Sequence, residues 1–255
     1  MAKVWFIGAG PGAADLLTVR AANALHSADI VIWASSLVTA DVLEYARADA
    51  EIHDSKVLTL EEVKEFYRRA AADDLTVARV HSGDPALYGA MQEQLEVVRE
   101  FGLDSEIVPG VTSVAATAAA AEKELTVPEV AQSVVFTRMA TRTPMPDGET
   151  IRSFAAHGTT MALFLSASRP KKLQSELIDG GYAPSTPCVV GYRVSWPDEQ
   201  LRYCRLDELA ATIRALKVSM HTMVLIGPAL ASEGKRSHLY SPDFSHTHRQ
   251  VSRHG

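Results

Sequence analysis

The sequence is poor in cysteine, in basic excess and in long apolar runs, and each shortage removes a class of protein. Only two cysteines, Cys188 and Cys204, occur in 255 residues. They stand sixteen positions apart and form no C-x-x-C pattern. Buried reduced thiols are therefore expected, with neither a disulfide framework nor a zinc site. Lys and Arg total 25 against 31 acidic residues, a net charge of −6, so no global field draws the chain to nucleic acid or to an anionic membrane. Any anionic ligand must be held by local basic residues. No apolar run approaches the roughly 18 residues of a membrane span, and the four apolar residues between Lys3 and Gly8 are too few for a signal-peptide core. A cytoplasmic protein without membrane attachment is expected. His246 and His248 have no carboxylate or thiol at ligand spacing, so no metal site is expected there.

What is present is ordinary globular composition, 47% hydrophobic and 22% charged, enough for one large core or two smaller ones. Lys3 to Ile7 reads as a strand ending in glycines. Thr18 then caps a helix that runs to about Ser27. Ile30 to Ala34 is a second apolar strand, Val38 to Ala46 a short helix, and Thr59-Leu60-Glu61-Glu62 a capping box that opens a longer helix. Leu75 to His81 is a third strand, followed by Ser82-Gly83-Asp84-Pro85 and an amphipathic helix through Met91, Leu95 and Val98. Glu106 to Val108 is a brief strand, and Thr112 to Glu124 an alanine-rich helix. This alternation predicts a mainly parallel sheet covered on both faces.

Beyond Val127-Pro128 the pattern changes. Strands are expected at 130–137, 161–165, 188–194, 201–206 and 223–226, with helices starting near Gly148, Pro170 and Asp207. The link from Ser195 to Glu199 is too short for a parallel crossover, so the strands flanking it form a hairpin and the second sheet is mixed. The fold class is thus α/β, with an N-terminal domain over 1–122, a C-terminal domain over 123–231 and a loosely ordered polar tail over 232–255.

Gly8-Ala9-Gly10-Pro11-Gly12 lies between a strand and a helix, where backbone can approach a ligand closely. A dinucleotide site wants G-x-G-x-x-G and an acidic residue at the end of the second strand. This spacing is G-x-G-P-G, Pro11 removes an amide donor, and the second strand ends in Ala34-Ser35-Ser36. A nicotinamide dinucleotide is therefore excluded, which leaves another nucleotide-type ligand or a tight structural turn. More weight comes from three segments that each follow an apolar strand: Gly8 to Gly12, Ser82-Gly-Asp-Pro-Ala-Leu-Tyr-Gly89 and Pro109-Gly-Val-Thr-Ser113. In an open parallel sheet such strand ends converge on one crevice.

In this order and spacing the three segments resemble the tetrapyrrole methylases, over roughly Val4 to Leu230. Within that family Trp33-Ala-Ser-Ser-Leu-Val38, Thr137-Arg-Met-Ala-Thr-Arg-Thr-Pro144 and Trp196-Pro-Asp-Glu199 look most like the precorrin-4 C11-methyltransferases, cobalt-precorrin-4 enzymes included. The resemblance implies two α/β domains with S-adenosylmethionine in the cleft between them, a homodimer, and a small-molecule tetrapyrrole substrate. It assigns the cofactor to Pro11, Ser82, Gly83, Asp84, Leu87, Thr112 and Ser113, and to Leu165 in the second domain. Asp84 can accept hydrogen bonds from ribose or amino groups, unless it caps the helix of Met91. Leu87 and Leu165 can wall the adenine.

A sulfonium methyl donor is already activated, so the protein need only position it, and no catalytic triad is expected. The substrate carries acetate and propionate carboxylates, which guanidinium groups match by bidentate hydrogen bonds. Arg138, Arg142 and Arg193 are the candidates, with solvated surface charge as the alternative. Tyr88 and His81 adjoin the cofactor loop and can shape the cleft or pack in the core. Met139 and Met161 read as packing residues. Methylation at another ring position, a methylase of RNA or protein with the same fold, and a noncatalytic nucleotide-binding module are the competing readings. The acidic balance weighs against RNA.

Overall fold

The computed structural model describes residues 2–218 and 220–231 together with Ser245 and Thr247. His246, His248 and the rest of the expected tail lie outside the described residues. The chain forms two compact units, Met1–Ala120 with Tyr192–Gln200, and Ala121–Gly191 with Leu201–Gly255. Among the described residues no helix is long and apolar enough to cross a membrane.

The first unit contains strands β1 (Lys3–Gly8), β2 (Ile30–Trp33), β3 (Glu51–Asp54), β4 (Thr76–His81) and β5 (Asp104–Val108). Its helices are α1 (Val19–Ser27), α2 (Leu60–Asp73), α3 (Met91–Glu100) and α4 (Ser113–Ala120). The sheet order is β3-β2-β4-β1-β5, with every neighbour parallel. Alternation along the strands feeds two cores, because successive side chains point to opposite faces. Val4, Phe6, Ile30, Ile32 and Val77 meet Val63 and Tyr67 of α2 and Leu95 and Val98 of α3. On the other face Ile7, Val31, Ala78, Val80 and Val108 meet Ala21 and Leu25 of α1. Burial on both faces explains why these strands read as continuous apolar runs. Each fully buried large side chain contributes roughly 1.5–3 kcal/mol.

The local start signals operate as expected. Thr18 Oγ1 accepts from the Ala21 amide at 3.1 Å. At α2 the Glu62 amide donates to Thr59 Oγ1 at 3.3 Å while the Thr59 amide donates to Glu62 Oε2 at 2.7 Å. Three elements depart from the expected pattern. The segment at Ala40–Tyr45 is a run of 3₁₀ helix, not α-helix. α4 stops at Ala120, and Glu122 has φ +52°. Strand β3, which the apolar pattern did not announce, is a polar edge strand of sequence EIHD held in register against β2. Edge strands are often polar, since only one side of the ladder is paired.

The second unit contains β6 (Val134–Arg138), β7 (Thr160–Phe164), β8 (Pro187–Tyr192), β9 (Gln200–Arg205) and β10 (Thr222–Ile226), with α5 (Ile151–Ala155), α6 (Pro170–Asp179) and α7 (Leu209–Ala215). Its order is β6-β7-β10-β8-β9. β6 and β7 are parallel whereas β7 and β10 are antiparallel, so the sheet is mixed as expected. Met161, Leu163, Leu173, Leu177, Val190, Ile213 and Val224 form its core, together with Met139. Strand β6 begins later than the apolar pattern suggested, at Val134, because Val130 and Ala131 pack instead with Val127 and Ala229 in a small separate cluster.

Candidate active site

Three loops meet at the carboxyl ends of β1, β4 and β5 in the first unit. Gly10 and Gly83 exchange backbone hydrogen bonds, Gly83 N to Gly10 O at 2.8 Å and Gly10 N to Gly83 O at 3.2 Å. The Ala9 amide donates to the His81 carbonyl at 2.8 Å. A Cβ on Gly8 would lie 2.6 Å from Gly110 Cα, and one on Gly110 would overlap the Gly83 carbonyl oxygen. These glycines are therefore required for backbone-to-backbone packing of all three loops. Gly10 and Gly83 also hold φ of +76° and +64°, which glycine adopts at no steric cost.

Asp84 ties the junction together. Its Oδ1 accepts from the Ala86 amide at 2.8 Å and its Oδ2 from the Gly110 amide at 3.0 Å. Capping of α3 does not involve it, because the residue preceding that helix is Ala90 in a left-handed conformation. The carboxylate is thus a clamp between the second and third loops.

The glycine turn is braced from behind by the segment joining β8 to β9. Trp196 Nε1 donates to the Pro11 carbonyl at 3.0 Å, and the Ala13 amide donates to Ser195 Oγ at 3.0 Å. Thr39 Oγ1 donates to the Gly12 carbonyl at 2.8 Å, and a Cβ on Gly12 would overlap the Trp196 indole. With the Ala9, Gly10 and Ala13 amides committed in this way, the turn is no anion-binding nest of free N–H groups. Ser82 and Ser113 donate to no described residue through their hydroxyls, and half-buried Leu87 supplies an apolar surface. Thr112 Oγ1 accepts weakly from the Val114 amide at 3.4 Å at the start of α4.

Beside these loops lies a buried polar row. Arg79 donates through Nε to Gln94 Oε1 at 3.0 Å, and Tyr67 donates to the same oxygen at 3.0 Å. His81 is 7% exposed, and its Nε2 has no partner among the described residues. Burial, with Arg79 nearby, pushes its pKa down to about 3, so the ring is a neutral core histidine. Tyr88, by contrast, is 46% exposed and holds φ +57°. At the neighbouring strand ends, Ser35 donates to Asp54 from its amide at 3.1 Å and from its hydroxyl at 2.5 Å. The Ser35 hydroxyl bond, aided by the Lys56 and Ser35 amides, holds the Asp54 carboxyl well below the usual range. The end of β2 thus does carry an acidic neighbour, supplied by β3.

The expected arginines divide into three environments. Arg138 is turned onto its own loop, donating to the carbonyls of Met139, Thr143 and Pro144 at 3.4, 3.3 and 2.8 Å. Arg142 is exposed and makes no ion pair with a described residue. Arg193, in the first unit, donates to Asp198 at 2.8 Å and lies 4.8 Å from the Trp196 ring centroid. Leu165, in the second unit, is 62% exposed at φ +52°. Its buried neighbour Ser166 locks it there, donating to the Phe164 carbonyl at 2.7 Å and accepting from the Met139 amide at 2.9 Å. An exposed leucine held in the left-handed region is the kind of strain that accompanies ligand contact. Sequence reasoning missed the bracing pair Ser195 and Trp196 and the anchor Ser166. The one available signal was the indole N–H of Trp196, which needs an acceptor when packed.

Comparison with known proteins agrees with this architecture. The sequence profile of the Tetrapyrrole (Corrin/Porphyrin) Methylases matches residues 3–210. The chain is 42% identical over 254 residues to a precorrin-4 C(11)-methyltransferase of Mycobacterium tuberculosis, covering 99% of this chain and 98% of the relative. The X-ray structure of a cobalt-precorrin-4 methyltransferase superposes with a TM-score of 0.88 at 42% identity, covering 91% of this chain and 97% of that one. A uroporphyrin-III C-methyltransferase from Thermus thermophilus, crystallised with S-adenosylhomocysteine, gives a TM-score of 0.75 at 27% identity, covering 89% and 98%. The chain belongs to the tetrapyrrole methylase family.

Proposed function

We propose that this enzyme transfers the methyl group of S-adenosylmethionine to carbon 11 of precorrin-4, metal-free or as its cobalt complex, in cobalamin biosynthesis. The observation that carries the reading is identity of 42% running through both units to a precorrin-4 C(11)-methyltransferase. The three-loop junction supports the methyl donor. It offers the hydroxyls of Ser82 and Ser113, the apolar side chain of Leu87 and a backbone stripped of side chains at Gly83, where an added Cβ would meet nothing closer than 3.9 Å. Pro11, Asp84 and Thr112 shape the same edge, and Leu165 is assigned to the adenine.

When bound, the donor supplies an activated sulfonium methyl group. The chain's own residues then have to orient two ligands and exclude water, work that can supply about 7–11 kcal/mol of a barrier. His81, buried and uncharged, has no imidazolium proton to release near neutral pH, and it packs the wall of the junction. Among the arginines, exposed Arg142, which pairs with no described residue, is suited to a substrate carboxylate, while Arg138 shapes the loop that presents it. Tyr88, exposed at φ +57°, and the guanidinium of Arg193, at φ +45° and paired with Asp198, are assigned to the substrate as well. Family resemblance supports a homodimer, and the two free thiols support a reducing, cytoplasmic setting.

The test is product analysis. Enzyme incubated with precorrin-4 and donor carrying a carbon-13 methyl should place the label on carbon 11, read by NMR; label at another ring carbon would overturn the assignment.

A further inference from the structure

The two cysteines of the chain are cross-strand partners in the second unit. β8 and β9 are neighbours in the sheet and have six residues each. The link between them is too short for a parallel crossover, so they run antiparallel. The Leu206 amide donates to the Thr186 carbonyl at 2.8 Å. Two residues further along each strand, this register sets Cys204 directly opposite Cys188, with both side chains on the same face. Both thiols accordingly pack against one core. Opposed residues of a hydrogen-bonded antiparallel pair have Cα atoms about 5.5 Å apart, inside the roughly 4.4–6.8 Å that a disulfide spans. Both cysteines are nevertheless free thiols.

Their environments differ in the way a reactive pair requires. β9 is the last strand of its sheet, and Cys204 is partly exposed there, whereas Cys188 is 1% exposed. The Cys188 thiol, in hydrogen-bonding contact with Cys204, draws the Cys204 pKa down to about 7, with Thr212 adding to the effect. The same contact and burial push Cys188 up. Cys188 Sγ also has the Thr186 carbonyl as an acceptor at 3.7 Å. Cys204 is therefore the more acidic and more exposed sulfur and Cys188 the sheltered resolving group, the arrangement that selects for oxidation.

We propose that Cys204 and Cys188 form a hydroperoxide-oxidisable dithiol that closes to an intrachain disulfide. The Cys204 thiolate attacks one peroxide oxygen, the O–O bond breaks, and a sulfenic acid and hydroxide result. Sulfur of Cys188 then attacks Cys204 sulfur, the S–O bond breaks, and the hydroxyl leaves with the Cys188 proton as water. Hydroxide takes up a solvent proton, so two thiols and one peroxide give one disulfide and two waters. A small thiol reductant reverses the change by exchange. The proposal stands whatever substrate the enzyme methylates.

The experiment uses the full chain, reduced and desalted, treated with hydrogen peroxide and, separately, with diamide, which oxidises dithiols while sparing methionine. Trypsin cuts after Arg193 and Arg202, between the two cysteines, so a non-reducing digest resolves the outcome by mass. Expected are a cross-linked Cys188–Cys204 peptide lacking two hydrogens, loss of both alkylatable thiols, and full reversal by dithiothreitol. Cys188→Ser should instead gain oxygen at Cys204. Cys204→Ser should leave Cys188 at least about tenfold slower to react, as befits a buried thiol. Oxygen retained on wild-type Cys204 without the cross-link, links between chains, or equal reactivity of Cys188 in Cys204→Ser would each overturn the proposal. Should either variant fail to fold, the wild-type digest alone decides.

Discussion

Asp84→Asn is the sharpest probe of the three-loop junction. The substitution keeps shape and removes one acceptor. In the wild type two backbone N–H groups, of Ala86 and Gly110, point at the two carboxylate oxygens at 2.8 and 3.0 Å. Asparagine has one oxygen and one NH₂, so whichever way it turns, one donor faces another donor. A hydrogen bond to a charged group contributes about 1.5–3 kcal/mol when well buried. Asp84 is only half-buried, and solvent competes for it, so the lower end applies. The expected cost is about 1.5 kcal/mol, or a fall in melting temperature of about 3–6 °C for a protein of this size. If binding the methyl donor re-forms the clamp, that cost appears in affinity, as S-adenosylhomocysteine binding about tenfold weaker by calorimetry. Asp84→Ala loses both acceptors and should exceed Asp84→Asn in at least one of the two readouts. A variant Asp84→Asn with unchanged melting temperature and unchanged affinity would falsify the clamp.

Other consequences are equally direct. Gly110→Ala should cost far more than Gly102→Ala in urea unfolding. The first drives a methyl into the Gly83 carbonyl, whereas the second meets nothing within 4 Å and suffers only its φ of +68°, a cost of about 1 kcal/mol. His81 is neutral in the fold because burial lowers its pKa to about 3. The unfolded chain therefore binds the extra proton, and stability falls as pH drops from about 6.5 toward 3, by up to roughly 1.4 kcal/mol per pH unit from this group. His81→Phe should flatten that slope, and parallel slopes for the two proteins would refute the assignment. Arg142→Ala should leave thermal stability unchanged and raise the apparent substrate constant, because Arg142 is exposed and makes no ion pair with a described residue. Arg138→Ala should instead lower stability as well, through the three carbonyls it gathers.

What the sequence by itself determined was local and periodic. The Thr18 cap and the Thr59 box depend on residues three apart, so a short window contains the whole interaction. Apolar runs at β1, β2 and β4 announced a parallel sheet because both of their faces are buried, and the link between β8 and β9 announced a hairpin because its length forbids anything else. Order and spacing of the glycine loops identified the family. Only the tertiary structure decided the rest, since the interactions concerned join residues far apart in the chain. β3 is a polar edge whose pairing with β2 carries no hydrophobic signature, and with it Asp54 reached Ser35. Trp196 reached Pro11 across 185 positions and braced the glycine turn. Asp84 looked like a helix cap or a ligand acceptor and proved to bind a third loop. The two cysteines, sixteen apart and unremarkable in the linear pattern, became neighbours through strand register. A residue type states which hydrogen bonds and contacts are available, and the folded chain decides which long-range partner takes each one.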